Sequence, residues 1–135
     1  MRVVRVDSWK VADVVVKNGV WGSNRSRFGK WEQGETLVLL VGKEGVLVAT
    51  VSGKPFTSDQ MIWEDDLYEY RIPVHIEKIL RNDAGVVANQ SVRKALAAGL
   101  SGIYGAYIMS QSKLPEEVER LVADTLVPGD CSREQ

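Results

Sequence analysis

The feature that most constrains the fold is a strict alternation of side chains between residues 67 and 80. One alternating set is apolar: Tyr68, Tyr70, Ile72, Val74 and Ile76. The other set is mostly charged: Glu69, Arg71, His75 and Glu77. Because side chains two apart in a strand lie on one face, this pattern predicts a half-buried antiparallel strand. Pro73 falls in the second set and places the strand at a sheet edge or at a bulge.

The other strands are predicted from β-rich runs between turn residues. Residues 36–51 form a hairpin signature, with two such runs on either side of a short glycine-containing turn. The valine-rich segment 2–7 predicts a first strand, and residues 103–109 predict a last one. Residues 21–35 and 52–66 are predicted to be long loops. About five strands are therefore expected.

Caps and apolar periodicity predict three helices. The first covers residues 9–18, between an N-cap at Ser8 and a C′ glycine at Gly19. The second covers residues 89–100, after a turn at residues 82–85.

The third helix begins with Pro115 at N1 and runs through Leu126. The side chains expected to face inward are Leu114, Val118, Leu121 and Val122. Strands in hairpin order with helices between them make an α+β domain. The most economical architecture is a small mixed, partly closed β-barrel of five to six strands flanked by helices.

Length and composition exclude several classes of protein. A chain of 135 residues is the size of one domain, and we expect it at 1–127, followed by a polar tail or the start of a linker at 128–135. One cysteine and one histidine exclude a disulfide framework, a cysteine metal cage and a His-rich metal site. No run of apolar residues is long enough to span a membrane. We expect a soluble, cytoplasmic domain without a membrane partner.

The charges are unevenly distributed. The net charge is only −1, which argues against coating nucleic acid by bulk electrostatics. The segment 24–31 nevertheless contains three cations and two aromatic residues without an acid. Such a local basic loop suits a binder that touches a few phosphates at one place. It is equally compatible with ordinary solvated surface.

Four short motifs, in order, resemble an EVE domain of the PUA-like superfamily, which also contains the YTH readers of N6-methyladenine. They are Asn18-Gly19-Val20-Trp21-Gly22, Trp31-Glu32-Gln33-Gly34-Glu35, Tyr68-Glu69-Tyr70-Arg71-Ile72 and Lys113-Leu114-Pro115-Glu116-Glu117-Val118. The resemblance covers about residues 9–126. The chain departs from the family in lacking the aromatic pair of the first strand, and in keeping only Tyr104 and Tyr107 before the last helix.

The resemblance implies a pocket for a flipped base. Taken alone, Trp21 could plug the end of the barrel or form the wall of a pocket. The resemblance places it as the first aromatic of a cage, with Trp63 as a second wall and Tyr68 beside them. Two aromatic walls would sandwich a base, and each stacked base is worth about 1–3 kcal/mol. A methyl group on the base would add apolar contact. Trp31 is expected in the core.

Polar residues near Trp21 are candidates for base and phosphate recognition. Ser23 and Asn24 could contact the Watson–Crick edge of the base, or could simply form an Asx-type turn. The candidates for phosphate contacts are Arg25, Arg27, Lys30 and Arg71. Arg71 is the strongest of them, because the strand pattern places it opposite the tyrosine row. A salt bridge to the acidic cluster 64–66 is the alternative for Arg71.

An enzymatic function has weaker support. The acids Glu64, Asp65, Asp66 and Glu69 could hold Mg²⁺ for phosphodiester cleavage, but consecutive acids in a loop are usually solvated. His75 has no evident partner for catalysis. We therefore expect no catalytic residue, no metal and no cofactor. A metal-dependent hydrolase or nuclease, and a barrel that docks on protein, are the alternatives from other classes.

The sequence thus predicts a binding module for DNA or RNA that takes a modified, methylated base into an aromatic pocket. Two settings fit this prediction. One is the N-terminal target-reading domain of a McrB-type modification-dependent restriction system, fused to or associated with its motor domain. The other is a free-standing RNA-binding PUA-like protein.

Overall fold

The computed structural model describes residues 1–126, so the predicted tail at 128–135 and the end of the predicted domain lie outside the described residues. Six strands occur in these residues: β1 (Arg2–Val6), β2 (Val20–Ser23), β3 (Thr36–Val41), β4 (Gly45–Val51), β5 (Phe56–Thr57) and β6 (Tyr70–Leu80). Four α-helices accompany them: α1 (Trp9–Asn18), α2 (Asn82–Leu100), α3 (Tyr104–Ser110) and α4 (Glu116–Leu126). Single 3-10 turns lie at Phe28–Lys30 and Ser101–Ile103.

The sheet is mixed and curls on itself into a half-barrel. Its order is β1-β3-β4-β6-β2, with β5 attached to β6. Only the β1–β3 pair is parallel among these strands. The long strand β6 pairs through residues 74–80 with β4, and through residues 70–73 with β2. One strand therefore joins the two halves of the sheet, which confirms the predicted α+β, partly closed barrel.

Both faces of the sheet are covered by apolar side chains. In β3, Leu37, Leu39 and Val41 belong to the core that packs against α1. The alternate residues Val38 and Leu40 belong to a second core beneath α2, α3 and α4. Because each face meets its own layer, β3 is a continuous apolar run instead of an alternating one.

Two predicted segments are wrong because long-range packing overrides local propensity. Residues 103–109 are mainly helix α3, where Tyr104, Tyr107 and Ile108 lean on the second core at helical spacing. Tyr104 and Tyr107 therefore share a face, whereas a strand would separate them.

The predicted turn at residues 82–85 is also wrong, because it forms the first turn of α2. A β-carbon at Gly85 would lie 2.3 Å from the carbonyl oxygen of Leu80, so glycine is what lets the helix begin so close to β6.

The inward face predicted for the last helix is mostly as expected. Leu114, Val118 and Val122 are buried, whereas Leu121 is exposed.

Helix α1 follows its prediction. It covers Trp9–Asn18, Ser8 occupies the N-cap position with extended backbone, and Gly19 ends the helix at φ 65°, the left-handed conformation that glycine adopts without strain. The loop predicted from residue 21 begins only at residue 24, because Trp21 and Gly22 pair with Ile72 and Arg71 as part of β2. The loop predicted at residues 52–66 contains the short strand β5.

Candidate nucleic-acid interface

A cavity of about 210 Å³ opens where the ends of β1 and β2 meet the loop before β6. All five residues predicted for the base pocket line it: Trp21, Ser23, Asn24, Trp63 and Tyr68. Drug-sized ligands occupy pockets of about 300–1,000 Å³, so this cavity suits a single flat ring system.

Trp21 is both a core residue and a wall of the cavity. Its side chain lies on β2 and is buried with the α1 core. The indole Nε1–H donates to Oε1 of Gln111 at 3.0 Å, a contact that joins two segments 90 residues apart. The two interpretations of Trp21 from sequence, plug and wall, are thus compatible in one residue.

Trp63 enters the cavity from the loop between β5 and β6. It is buried and meets Tyr68 edge to face, with ring centroids 5.3 Å apart at 86°. The ring lies against Gly22, where a β-carbon would fall 2.7 Å from Cη2 of Trp63. Glycine on β2 therefore provides the space that this aromatic wall occupies.

Arg71 has a structural role instead of the predicted phosphate contact. Its side chain is buried, and Nε donates to the Tyr68 carbonyl at 3.1 Å. Nη2 donates to the carbonyls of Leu67, at 3.1 Å, and of Gln60. The guanidinium also lies 5.4 Å from the Trp63 ring centroid.

This correction has a simple physical reason. The face of β6 that carries Arg71 is covered by the loop that holds Trp63, so the charge is satisfied by that loop's carbonyl groups. The salt bridge considered for Arg71 with residues 64–66 is not formed either. Arg71 holds the loop in place and thereby positions the aromatic walls.

Ser23 and Asn24 form a turn and also face the cavity. The Ser23 hydroxyl oxygen accepts from the Arg25 N–H at 3.1 Å and from Arg27 Nε at 2.9 Å. These two bonds leave its own O–H able to donate. Asn24 is exposed, and its Nδ2 lies 3.5 Å from an oxygen of Asp66.

The remaining three cation candidates border this turn. Arg25 and Lys30 are exposed, while Arg27 is half-buried and lines the cavity. Burial, and secondarily the charge of Arg25, lower the pKa of Arg27. Arg27 also donates to the Met109 carbonyl at 3.4 Å, which joins the loop to the end of α3.

The acidic cluster does not form a metal site. Glu64 pairs with the exposed Lys10, and Asp66 accepts from the Leu67 N–H. Asp65 accepts from the Tyr68 hydroxyl at 2.6 Å. Within residues 1–126, no group of three or more His, Cys, Asp or Glu side chains could hold a metal ion.

The pKa of the Tyr68 hydroxyl is raised by its acidic neighbours. The hydrogen bond to Asp65, then burial, then the charges of Asp65, Asp66 and Asp7 raise its pKa to about 12. Its backbone has φ 46°, which is uncommon for a residue with a side chain and is often found at functional sites.

The sequence prediction did not place seven residues of the cavity lining in the site, namely Arg5, Val6, Asp7, Val11, Gly22, Asp65 and Gln111. Asp7 and Arg5 lie at the end of β1, where no motif distinguishes them from other exposed residues. Gln111 ends α3, a segment that propensity predicted to be a strand. No sequence signal could have joined it to Trp21.

Comparison with known proteins supports the fold. No protein-family model and no curated protein matches the chain. The Pho92 YTH domain in complex with m6A matches with a TM-score of 0.57 and 18% identity, over 91% of this chain and 80% of that one. The YTH domain of the Zygosaccharomyces rouxii MRB1 protein in complex with N6-methyladenosine RNA matches with a TM-score of 0.54 and 16% identity. This match covers 91% of this chain and 83% of that one.

The likeness at these identities concerns architecture. The chain shares the α+β half-barrel fold of YTH domains, which agrees with the architecture predicted from the sequence. The EVE resemblance stays a prediction. No helix within residues 1–126 is long and apolar enough to cross a membrane.

Proposed function

We propose that this chain is a nucleic-acid-binding module, without catalytic activity, that takes one modified base into the cavity lined by Trp21, Trp63 and Tyr68. The observation that supports it best is the convergence of three aromatic side chains on one cavity of about 210 Å³. Two solved neighbours are YTH domains described as complexes with N6-methyladenosine. A methylated adenine in RNA is therefore the first ligand to test.

The mechanism begins with extrusion of the target nucleotide. A base stacked inside a helix cannot enter a cavity, so it must be unstacked at a cost of a few kcal/mol. Stacking against aromatic walls returns about 1–3 kcal/mol per base. A methyl group removed from water adds about 0.8 kcal/mol and needs no hydrogen-bond partner, which favours the modified base.

Polar groups around the aromatic walls would read the edge of the base. The Ser23 hydroxyl can donate, and the exposed Asn24 amide can donate or accept. Asp7 and Asp65 supply carboxylate oxygens that accept from amino groups. A cavity with both kinds of group can discriminate between bases of the same shape.

The cationic rim would hold the backbone on either side of the flipped nucleotide. Arg25, Arg27 and Lys30 are the three cations of the segment 24–31, and Arg71 is withdrawn from this set because it is buried. Three cations and a net charge of −1 imply contact with only a few phosphates.

Two biological settings remain part of this proposal. As an EVE-type module, the chain would serve as the target-reading domain of a McrB-type restriction system with its motor domain. As a free-standing protein, it would bind modified RNA. The polymer that binds best separates them, because the first setting requires modified DNA.

The test is a fluorescence-anisotropy titration with short single- and double-stranded DNA and RNA oligonucleotides. Each carries cytosine, 5-methylcytosine, adenine or N6-methyladenine at one position. We expect one modified base to bind about 4-fold more tightly than its unmodified form, as about 0.8 kcal/mol from one methyl group implies, and Trp21→Leu to remove that preference while circular dichroism stays unchanged. Equal binding of all bases, or none at low salt, would refute the proposal.

A further inference from the structure

Gln111 lines the cavity at the end of α3, and its backbone is firmly held. It follows α3 with φ 54°, in the left-handed conformation, and its N–H bonds back to the Ile108 carbonyl. Its own carbonyl accepts from Nη1 of the buried Arg2 at 2.9 Å. The backbone of this residue is thus held from both sides.

The orientation of the Gln111 amide follows from its partner. An indole Nε1–H can only donate, so the amide atom 3.0 Å from Trp21 Nε1 must be the oxygen. The Nε2 group therefore points away from the indole. Within residues 1–126, Gln111 Nε2 makes no hydrogen bond. The atom is not fully buried, so a ligand can reach it.

We infer that Gln111 is a specificity-determining residue of the base pocket. Its Oε1 fixes the ring of Trp21, and its Nε2 donates a hydrogen bond to a ring-nitrogen acceptor of the bound base. This inference rests on the proposed function.

The consequence is a preference set by the edge of the base. A base that presents a ring nitrogen with a lone pair satisfies the Nε2 donor, whereas one that presents N–H or C–H leaves it without a partner. The aromatic walls alone provide no such discrimination, because every base has a π-face. Gln111 would therefore contribute selectivity that Trp21 and Trp63 do not.

Two variants separate the two halves of this role. Gln111→Glu keeps a carboxylate acceptor for the Trp21 indole and removes the N–H donors. Gln111→Met has a similar shape, is neutral and removes both. Neither change is expected to unfold the chain, because Gln111 is only half-buried.

The probes are short oligonucleotides with the modified base that the wild-type protein selects and with its deaza forms. For N6-methyladenine these are the 1-, 3- and 7-deaza forms, each with one ring nitrogen replaced by C–H. For 5-methylcytosine the probe is the 3-deaza form. Because each variant is compared with itself on two probes, the repulsion between the Gln111→Glu carboxylate and the phosphates cancels, whereas its repulsion of the ring-nitrogen lone pair remains.

We expect wild-type affinity to fall about 5- to 10-fold for one deaza form, Gln111→Met to bind that form and its parent equally, and Gln111→Glu to bind the parent no more tightly than the deaza form. In ¹⁵N-correlated NMR spectra, the Trp21 indole resonance should stay in place in Gln111→Glu and move in Gln111→Met. A purely structural role would not remove the difference between two probes.

Two results would overturn the inference. One is a wild-type protein that binds every deaza form as tightly as its parent. The other is a pair of variants that keep the wild-type discrimination. If the wild-type protein instead binds no modified oligonucleotide, the proposed function itself fails, and this is seen before any variant is compared.

Discussion

A β-carbon on Gly22 would lie 2.7 Å from Cη2 of Trp63, well inside the closest approach of two carbon atoms. The same carbon would lie 3.0 Å from Cβ of Tyr68. Two walls of the cavity therefore rest on the backbone of one glycine. The position of the aromatic walls depends on the absence of a side chain on β2.

Gly22→Ala should displace Trp63 and weaken binding of the selected modified base by about 10-fold or more, because one stacking contact is lost. Overpacking should also lower the free energy of unfolding by about 1–3 kcal/mol. Anisotropy and urea unfolding measure the two effects. Gly105→Ala is the matched control, since a β-carbon there meets nothing within 4 Å. Wild-type affinity in Gly22→Ala would argue against Trp63 as a wall.

Arg71→Met should lower the free energy of unfolding by about 3 kcal/mol, because three carbonyl groups lose a buried charged donor. Urea unfolding measures this loss. The control is Arg120→Met. Arg120 and its partner Glu116 are both largely exposed, so this change should alter the free energy of unfolding by no more than about 0.5 kcal/mol. If Arg71 instead contacted phosphate, stability would be unchanged and the salt dependence of binding would fall.

Tyr68 should titrate late, with a pKa of about 12 instead of the usual 10.0. Because the folded protein favours the neutral phenol, this contribution to stability is complete below about pH 10 and is lost as the pH rises toward 12. Phenolate absorbance follows the titration, and Tyr68→Phe assigns the late step. Asp65→Asn should move that step toward the ordinary pKa. A wild-type protein without a late step contradicts this account of the Asp65 contact.

The affinity for the selected oligonucleotide should depend only weakly on salt. With a few phosphate contacts to a single strand, the slope of log K against log salt is about −0.7 per phosphate. Arg25→Gln and Lys30→Gln should each make the slope less negative by about 0.7. Lys94→Gln, exposed on α2 and outside the cavity lining, should leave it unchanged. A wild-type slope corresponding to eight or more phosphates would contradict a small cationic rim.

Local signals in the sequence were sufficient for elements whose ends are defined by their own residues. Helix α1 lies between Ser8 and Gly19 as expected, and the hairpin of β3 and β4 pairs residue for residue from Thr36 to Val41. Helix α3 was missed because its aromatic residues favour strands, while the spacing of Tyr104, Tyr107 and Ile108 already matched a helical face.

The candidate site was only partly predictable. Its aromatic residues were found through the family resemblance, with Trp21 and Tyr68 in motifs and Trp63 in the loop before the Tyr68 motif. Arg71 was misplaced because alternation along a strand does not say whether a loop covers its polar face. Gln111 could not be found, because its contact with Trp21 spans 90 residues and exists only after both segments have folded.

The most direct test of the base pocket is an NMR titration with the modified nucleoside that the anisotropy measurements select. The chain has four tryptophans, and two of them, Trp9 and Trp31, do not line the cavity. We expect the indole N–H resonances of Trp21 and Trp63 to shift and saturate together with binding, while those of Trp9 and Trp31 stay in place. Saturable binding that leaves the Trp21 and Trp63 resonances unmoved would contradict the account.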